Sequence, residues 1–179
     1  MSTLHVENLK GLSSGGNANK IIVPSGQTLD ASNGFTAPAG HVIQTVSADG
    51  AVFTPRTTTT STSYSSTGYD LSITPTSTSS KILIQFSIAT GNTVTGQYNY
   101  FIVYRGSTSL GAEAAMGGSQ HWSMCYGATL DSPATTSATT YSIYFRSSNT
   151  SNTNYAGWTG SFSGNSQNMN SFVLQEIAQ

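Results

Sequence analysis

Lys81-Ile-Leu-Ile-Gln-Phe-Ser-Ile88 decides the fold. Ile82, Ile84, Phe86 and Ile88 fall on one side of this stretch, with Lys81, Leu83, Gln85 and Ser87 on the other. A period of two belongs to a pleated strand, whereas a helix would space its apolar residues by three and four. The same alternation recurs downstream. Tyr98, Tyr100, Ile102 and Tyr104 alternate with Asn99, Phe101, Val103 and Arg105, and Tyr141, Ile143 and Phe145 with Tyr144 and Arg146. Trp122, Met124 and Tyr126 share a face of a further strand, Tyr155 to Phe162 is a weaker candidate, and Phe172 to Ile177 is the last. Upstream, His41 to Val46, Ala51 to Phe53 and Leu71 to Ile73 read as strands. Residues 57–67 are Ser or Thr except Tyr64, which suits either a linker or an edge strand. Gly91-Asn92 and other Gly, Ser, Asn and Asp clusters supply turns. The expectation is an all-β, antiparallel β-sandwich, jelly-roll-like.

Composition agrees. Only 7% of the 179 residues are charged, while Ser and Thr supply 29 and 26 of them. A chain rich in Thr, Tyr and Gly suits sheet better than helix. The net charge of −1 and six scattered basic residues argue against nucleic-acid binding. Cys125 is the single cysteine, so no intramolecular bridge forms, and a buried, inert thiol is expected. Residues 1–10 lack the apolar core of a signal peptide and no run approaches a membrane span, so synthesis in a cytoplasm without membrane insertion is expected.

Residues 1–39 read differently from residues 40–179. Leu4, Val6 and Leu9 form an apolar strip, Gly11 to Asn17 a flexible turn region, and Lys20 to Pro24, with Ile21 and Val23, a short strand. So few apolar residues cannot build a core from one copy, so this segment is expected to lie on another protein or wind with copies of itself. In the sandwich, residues 82–88, 98–104 and 172–177 are apolar on both faces. An outer face of that kind is expected to meet another subunit, and a homotrimer does this with closed symmetry.

With these features in place, the chain resembles the fibre-like virion proteins of tailed bacteriophages, marine ones especially, in tail-fibre, head-fibre or knob form. The segments concerned are Ser2 to Gly11, Ala18 to Asp30 and Gly40 to Val46, then Leu71 to Pro75 running into Ser80 to Ile84. Leu130 to Ser137 running into Tyr141, and Phe172 to Ala178, complete them. The resemblance implies a short trimeric fibre in the virion, its N-terminal attachment and shaft segment (1–39) docked on a capsid or tail protein through Leu4, Val6, Leu9, Ile21 and Val23. Its C-terminal head (40–179) would face outward. The alternative is a capsid decoration or vertex protein with a purely stabilising role.

The residues offer no catalytic constellation, so no enzyme and no cofactor are expected. Asp70, Glu113 and Asp131, the head's carboxylates away from its ends, are expected at turns. His5, His41 and His121 stand far apart, and ordinary histidines are preferred to a threefold metal site at His41 or His121. Aromatic faces stack on sugar rings and amides bond their hydroxyls. An exposed loop holding Asn152, Asn154, Tyr155 and Trp158 is therefore the candidate host-glycan contact, while Tyr98, Trp122 and Tyr126 are assigned to the core or a subunit interface.

Overall fold

The computed structural model describes residues 13–16, 18, 20–28, 37–48, 56–117, 123–157 and 170–179. The chain divides into two units, residues 1–36 and 37–179. In the first, Ala18 N–H bonds the Gly15 carbonyl at 3.0 Å and Gln27 N–H the Pro24 carbonyl at 3.1 Å, closing turns. The strand expected at Lys20 to Pro24 does not form, and Ile21, Ile22 and Val23 are exposed. No described segment of this unit supplies the ladder partner that a strand needs. Leu4, Val6 and Leu9 lie outside the described residues.

The second unit is strand throughout its regular structure, with no helix among the described residues. Its strands are β1 (Val42–Ala48), β2 (Thr57–Thr59), β3 (Ser65–Ile73), β4 (Lys81–Asn92) and β5 (Tyr98–Arg105). Then follow β6 (Thr108–Gly117), β7 (Ser123–Asp131), β8 (Thr139–Ser147), β9 (Asn154–Ala156) and β10 (Ser171–Ile177). The larger sheet runs β1-β10-β4-β9-β2, with β7 on the other side of β4, and the smaller runs β3-β8-β5-β6. All pairings are antiparallel. Five of them nest: β5 with β6, β4 with β7, β3 with β8, β2 with β9 and β1 with β10. That is one long hairpin rolled into two layers, the winding of a jelly roll.

The rows facing between the layers are those the alternation picked out. Ile82, Ile84, Phe86 and Ile88 of β4 and Phe172 and Leu174 of β10 meet Phe101 and Val103 of β5 and Tyr141, Ile143 and Phe145 of β8. Cys125 is buried as expected, and burial pushes its thiol up to about 11. Polar clusters close the core at its ends. At one, Arg105 reaches Asp131 across the layers at 2.8 Å, and the Tyr141 hydroxyl donates to the same carboxylate at 2.8 Å. At the other, the Asn99 amide donates to the Thr90 hydroxyl and to the Gly91 carbonyl.

Gly127 of β7 stands opposite Phe86 in the ladder, and a β-carbon there would run into the phenyl ring. The ring thus occupies the space a side chain would take. Gly127→Ala is expected to cost about 1–2 kcal/mol, towards the low end for overpacking because the clash falls on the far end of a side chain. A urea-unfolding midpoint unchanged from wild type would refute it.

Several expectations need correcting. Gly91 and Asn92 continue β4 instead of turning, because β9 pairs with residues 90–92. The turn follows, held by the Asn92 amide on the Gln97 carbonyl at 3.1 Å. Asp70 and Glu113 lie within strands β3 and β6, and Asp131 is the last residue of β7. The Ser/Thr run gives edge strand in both layers, β2 in the larger and the start of β3 in the smaller. Residues 51–53, Trp122 and Trp158 to Phe162 lie outside the described residues.

Candidate functional site

The outward face of the smaller sheet is built by the same alternation that fills the core. Because Asn99, Phe101 and Val103 point inward, Tyr98, Tyr100, Ile102 and Tyr104 point out. Likewise Tyr141, Ile143 and Phe145 are buried on β8, which leaves Tyr144 and Arg146 outward. Register then sets these side chains beside one another: Tyr100 opposite Arg146, and Ile102 between Tyr144 and Glu113. Tyr64, just before β3, completes the group.

Its geometry is fixed by stacking and charge. The Arg146 guanidinium lies 3.9 Å from the centroid of the Tyr100 ring and 5.3 Å from that of Tyr64, and it pairs with Glu113 at 3.1 Å. The Tyr64 hydroxyl donates to the same Glu113 carboxylate. Since β8 and β6 flank β5, this ion pair crosses over β5, and Ile102 is only 6% exposed although it faces outward. The Tyr98 and Tyr100 rings sit 6.2 Å apart, and those of Tyr104 and Tyr144 4.3 Å apart. Tyr98 is 47% exposed. The face is therefore a file of aromatic rings edged by hydroxyls, one guanidinium and the carboxylates of Glu113 and Asp70.

The loop expected to bind glycan is organised otherwise. Asn152 and Asn154 are fully buried. The Asn152 amide donates to the Asn154 side-chain carbonyl, its own side-chain oxygen accepts from Thr93 N–H at 3.2 Å, and Asn154 donates to the Arg146 carbonyl at 2.9 Å. These two amides satisfy backbone at the corner between β8 and β9, so they serve the fold and correct the expectation that they reach solvent. Tyr155 points the other way, half-buried, with the Arg56 guanidinium 4.5 Å from its ring centroid. Trp158 lies outside the described residues. Tyr98 and Tyr126, the latter 64% exposed, are not core residues: Phe101 and Cys125 take the inward rows of their strands.

Among the described residues no three of His, Cys, Asp or Glu come together. Two carboxylates share a row of the larger sheet, Asp131 and Glu176 on either side of Ile82, and both are engaged by neighbours. Sequence reasoning grouped the β5 tyrosines on one face but did not join them to Tyr144, Arg146, Glu113 and Tyr64. That grouping needs the β8-β5-β6 register, for which the alternation of Tyr144 and Arg146 was the only signal. No protein-family model and no curated protein matches the chain.

Proposed function

We propose that this chain is a non-catalytic structural protein of a phage virion, a short fibre. Its residues 1–39 dock on another virion protein, and its heads associate as a homotrimer that faces the host surface. The observation that carries this reading is the outward face of the larger sheet. Val42, Leu83, Leu130, Val173 and Ile177 point outward there with Tyr126 and Ala128, and Leu83 pairs directly with Leu130. Val42 and Leu130 are 50% and 53% exposed in a single copy. Among the described residues, the outward rows of β1, β4, β7 and β10 carry Lys81 as their one charged side chain. These side chains are interspersed with Gln85, Ser87 and Gln175, and an outward face so poor in charge suits the core of a protein–protein contact. Copies of the chain meeting there leave the polar, aromatic face of the smaller sheet to solvent. The poverty in charge, the exposed Ile21 and Val23 and the resemblance to phage fibre proteins fit an assembled particle component made in the host cytoplasm.

Light scattering during size exclusion tests the assembly. A species near three times 18.7 kDa is expected for the full-length protein. A monomer would leave the apolar face to a shell protein and turn the reading to capsid decoration. Particles lacking the chain are expected to adsorb poorly to host cells, and normal adsorption would remove the host-facing role.

A further inference from the structure

We infer that the outward face of the smaller sheet binds a neutral polysaccharide along the file Tyr98, Tyr100 and Tyr104. The inference deepens the host-facing role proposed above and rests on it for its biological setting, but its chemistry stands on the face itself.

Sugar rings present flat C–H surfaces and equatorial hydroxyls, and a matching site offers aromatic faces beside fixed hydrogen-bonding groups. The file supplies the first. Tyr98, 47% exposed, is the open ring at one end. Arg146 lies on one face of Tyr100 and Tyr144 packs against Tyr104, which leaves their remaining ring surface to the ligand. Outward residues of one strand repeat about every 7 Å, so Tyr98 to Tyr104 extends for ~20 Å, which suits an extended oligosaccharide better than a single small molecule. The second is supplied by Arg146, whose guanidinium is held on Tyr100 and by Glu113, and by the tyrosine hydroxyls and Ser142 beside Tyr104. Holding these groups in the fold reduces the ordering that a ligand must impose.

Charge selects the class. Among its described residues the face carries Arg146 against Glu113 and Asp70, and the one cation is already paired. A uronic-acid or sulfated polymer would meet net negative charge and no free cation, so a neutral polymer is preferred. A second copy of the chain is the poorer occupant. It would have to bury Asp70 and the Arg146–Glu113 pair, whereas the larger sheet offers an outward face with Lys81 alone.

Affinity electrophoresis of the full-length protein tests the inference, with a panel of neutral hexose polymers in the gel and a polyuronate beside them. Retardation by at least one neutral polymer and none by the polyuronate is expected. Tyr98→Ala should weaken it at least tenfold and Tyr98→Phe should keep it, since the ring does the stacking. Tyr100→Ala gives a second reading, and circular dichroism confirms that each variant is folded. No retardation by any neutral polymer, retardation by the polyuronate alone, or full retardation of both alanine variants would overturn the site. Particles separate this failure from that of the host-facing role. If particles carrying Tyr98→Ala adsorb normally while those lacking the chain do not, the site is wrong and the role stands. If both adsorb normally, the role fails too.

Discussion

Truncating Phe101 to alanine is expected to lower the unfolding free energy by about 3–5 kcal/mol, the usual cost of removing a large aromatic from a core. Phe101 is fully buried, with its ring centroid 6.0 Å from that of Phe145 in its own sheet and 6.5 Å from that of Phe86 across the layers. Removing it takes the middle ring from a chain of three that joins the two sheets. Tyr98→Ala, on the opposite side of the same strand, should cost well under half as much, because it leaves no cavity. Urea unfolding of both variants gives the comparison. Equal losses would mean that β5 buries neither face in preference.

The second large effect is expected at Glu176. This carboxylate has no exposed surface, and it accepts from Thr76 N–H at 2.7 Å, the Thr76 hydroxyl at 2.8 Å and the Gln44 amide at 2.7 Å. Burial alone would raise its pKa, but these bonds, led by that from Gln44, outweigh burial and hold it below 4.5. Glu176→Ala strands three donors and should cost about 3 kcal/mol, the upper range for hydrogen bonds to a charged group. The sign of the pH dependence follows from the lowered value. The folded state binds the proton less readily than the unfolded chain does, so the contribution is complete above pH 4.5 and is lost as the pH falls through the folded value. Urea midpoints measured from pH 7 down to pH 3 should fall less steeply for Glu176→Gln than for wild type. Parallel curves would show that Glu176 titrates alike in both states.

Most of the sandwich was legible because strand alternation is local. Ile82 to Ile88, Tyr98 to Arg105, Tyr141 to Phe145 and Phe172 to Ile177 announce themselves through residues two apart, and each is a strand of the structure. The strand β6 was not legible. Its run Thr-Ser-Leu-Gly-Ala-Glu-Ala-Ala-Met-Gly holds few β-formers, and Gly111 at φ 76° breaks the alternation. It is a strand because β5 pairs with it, a tertiary cause that overrides propensity. The candidate site followed the same rule. Asn152 and Asn154 have the composition of an exposed loop, and nothing within the loop reveals that Thr93 and the Arg146 carbonyl are waiting for their amides. The tyrosine file was half visible, since the sequence aligned Tyr98, Tyr100 and Tyr104 but gave no means of telling which side of β5 faced out.

The nesting of strand pairs also bears on the order in which the chain can close. The innermost pair, β5 with β6, is joined by a turn at Gly106 and Ser107, so it needs almost no search. Once it forms, the ends of β4 and β7 are near one another, and their pairing in turn draws β3 towards β8. Val42 and Ile177, far apart along the chain, meet after every shorter loop has been closed. Each step thereby shortens the effective loop of the next, which softens the kinetic penalty that long-range pairing imposes on all-β folds. The same order leaves a gap in time: until β10 is in place, β1 and β4 both present open edges to whatever surrounds the chain.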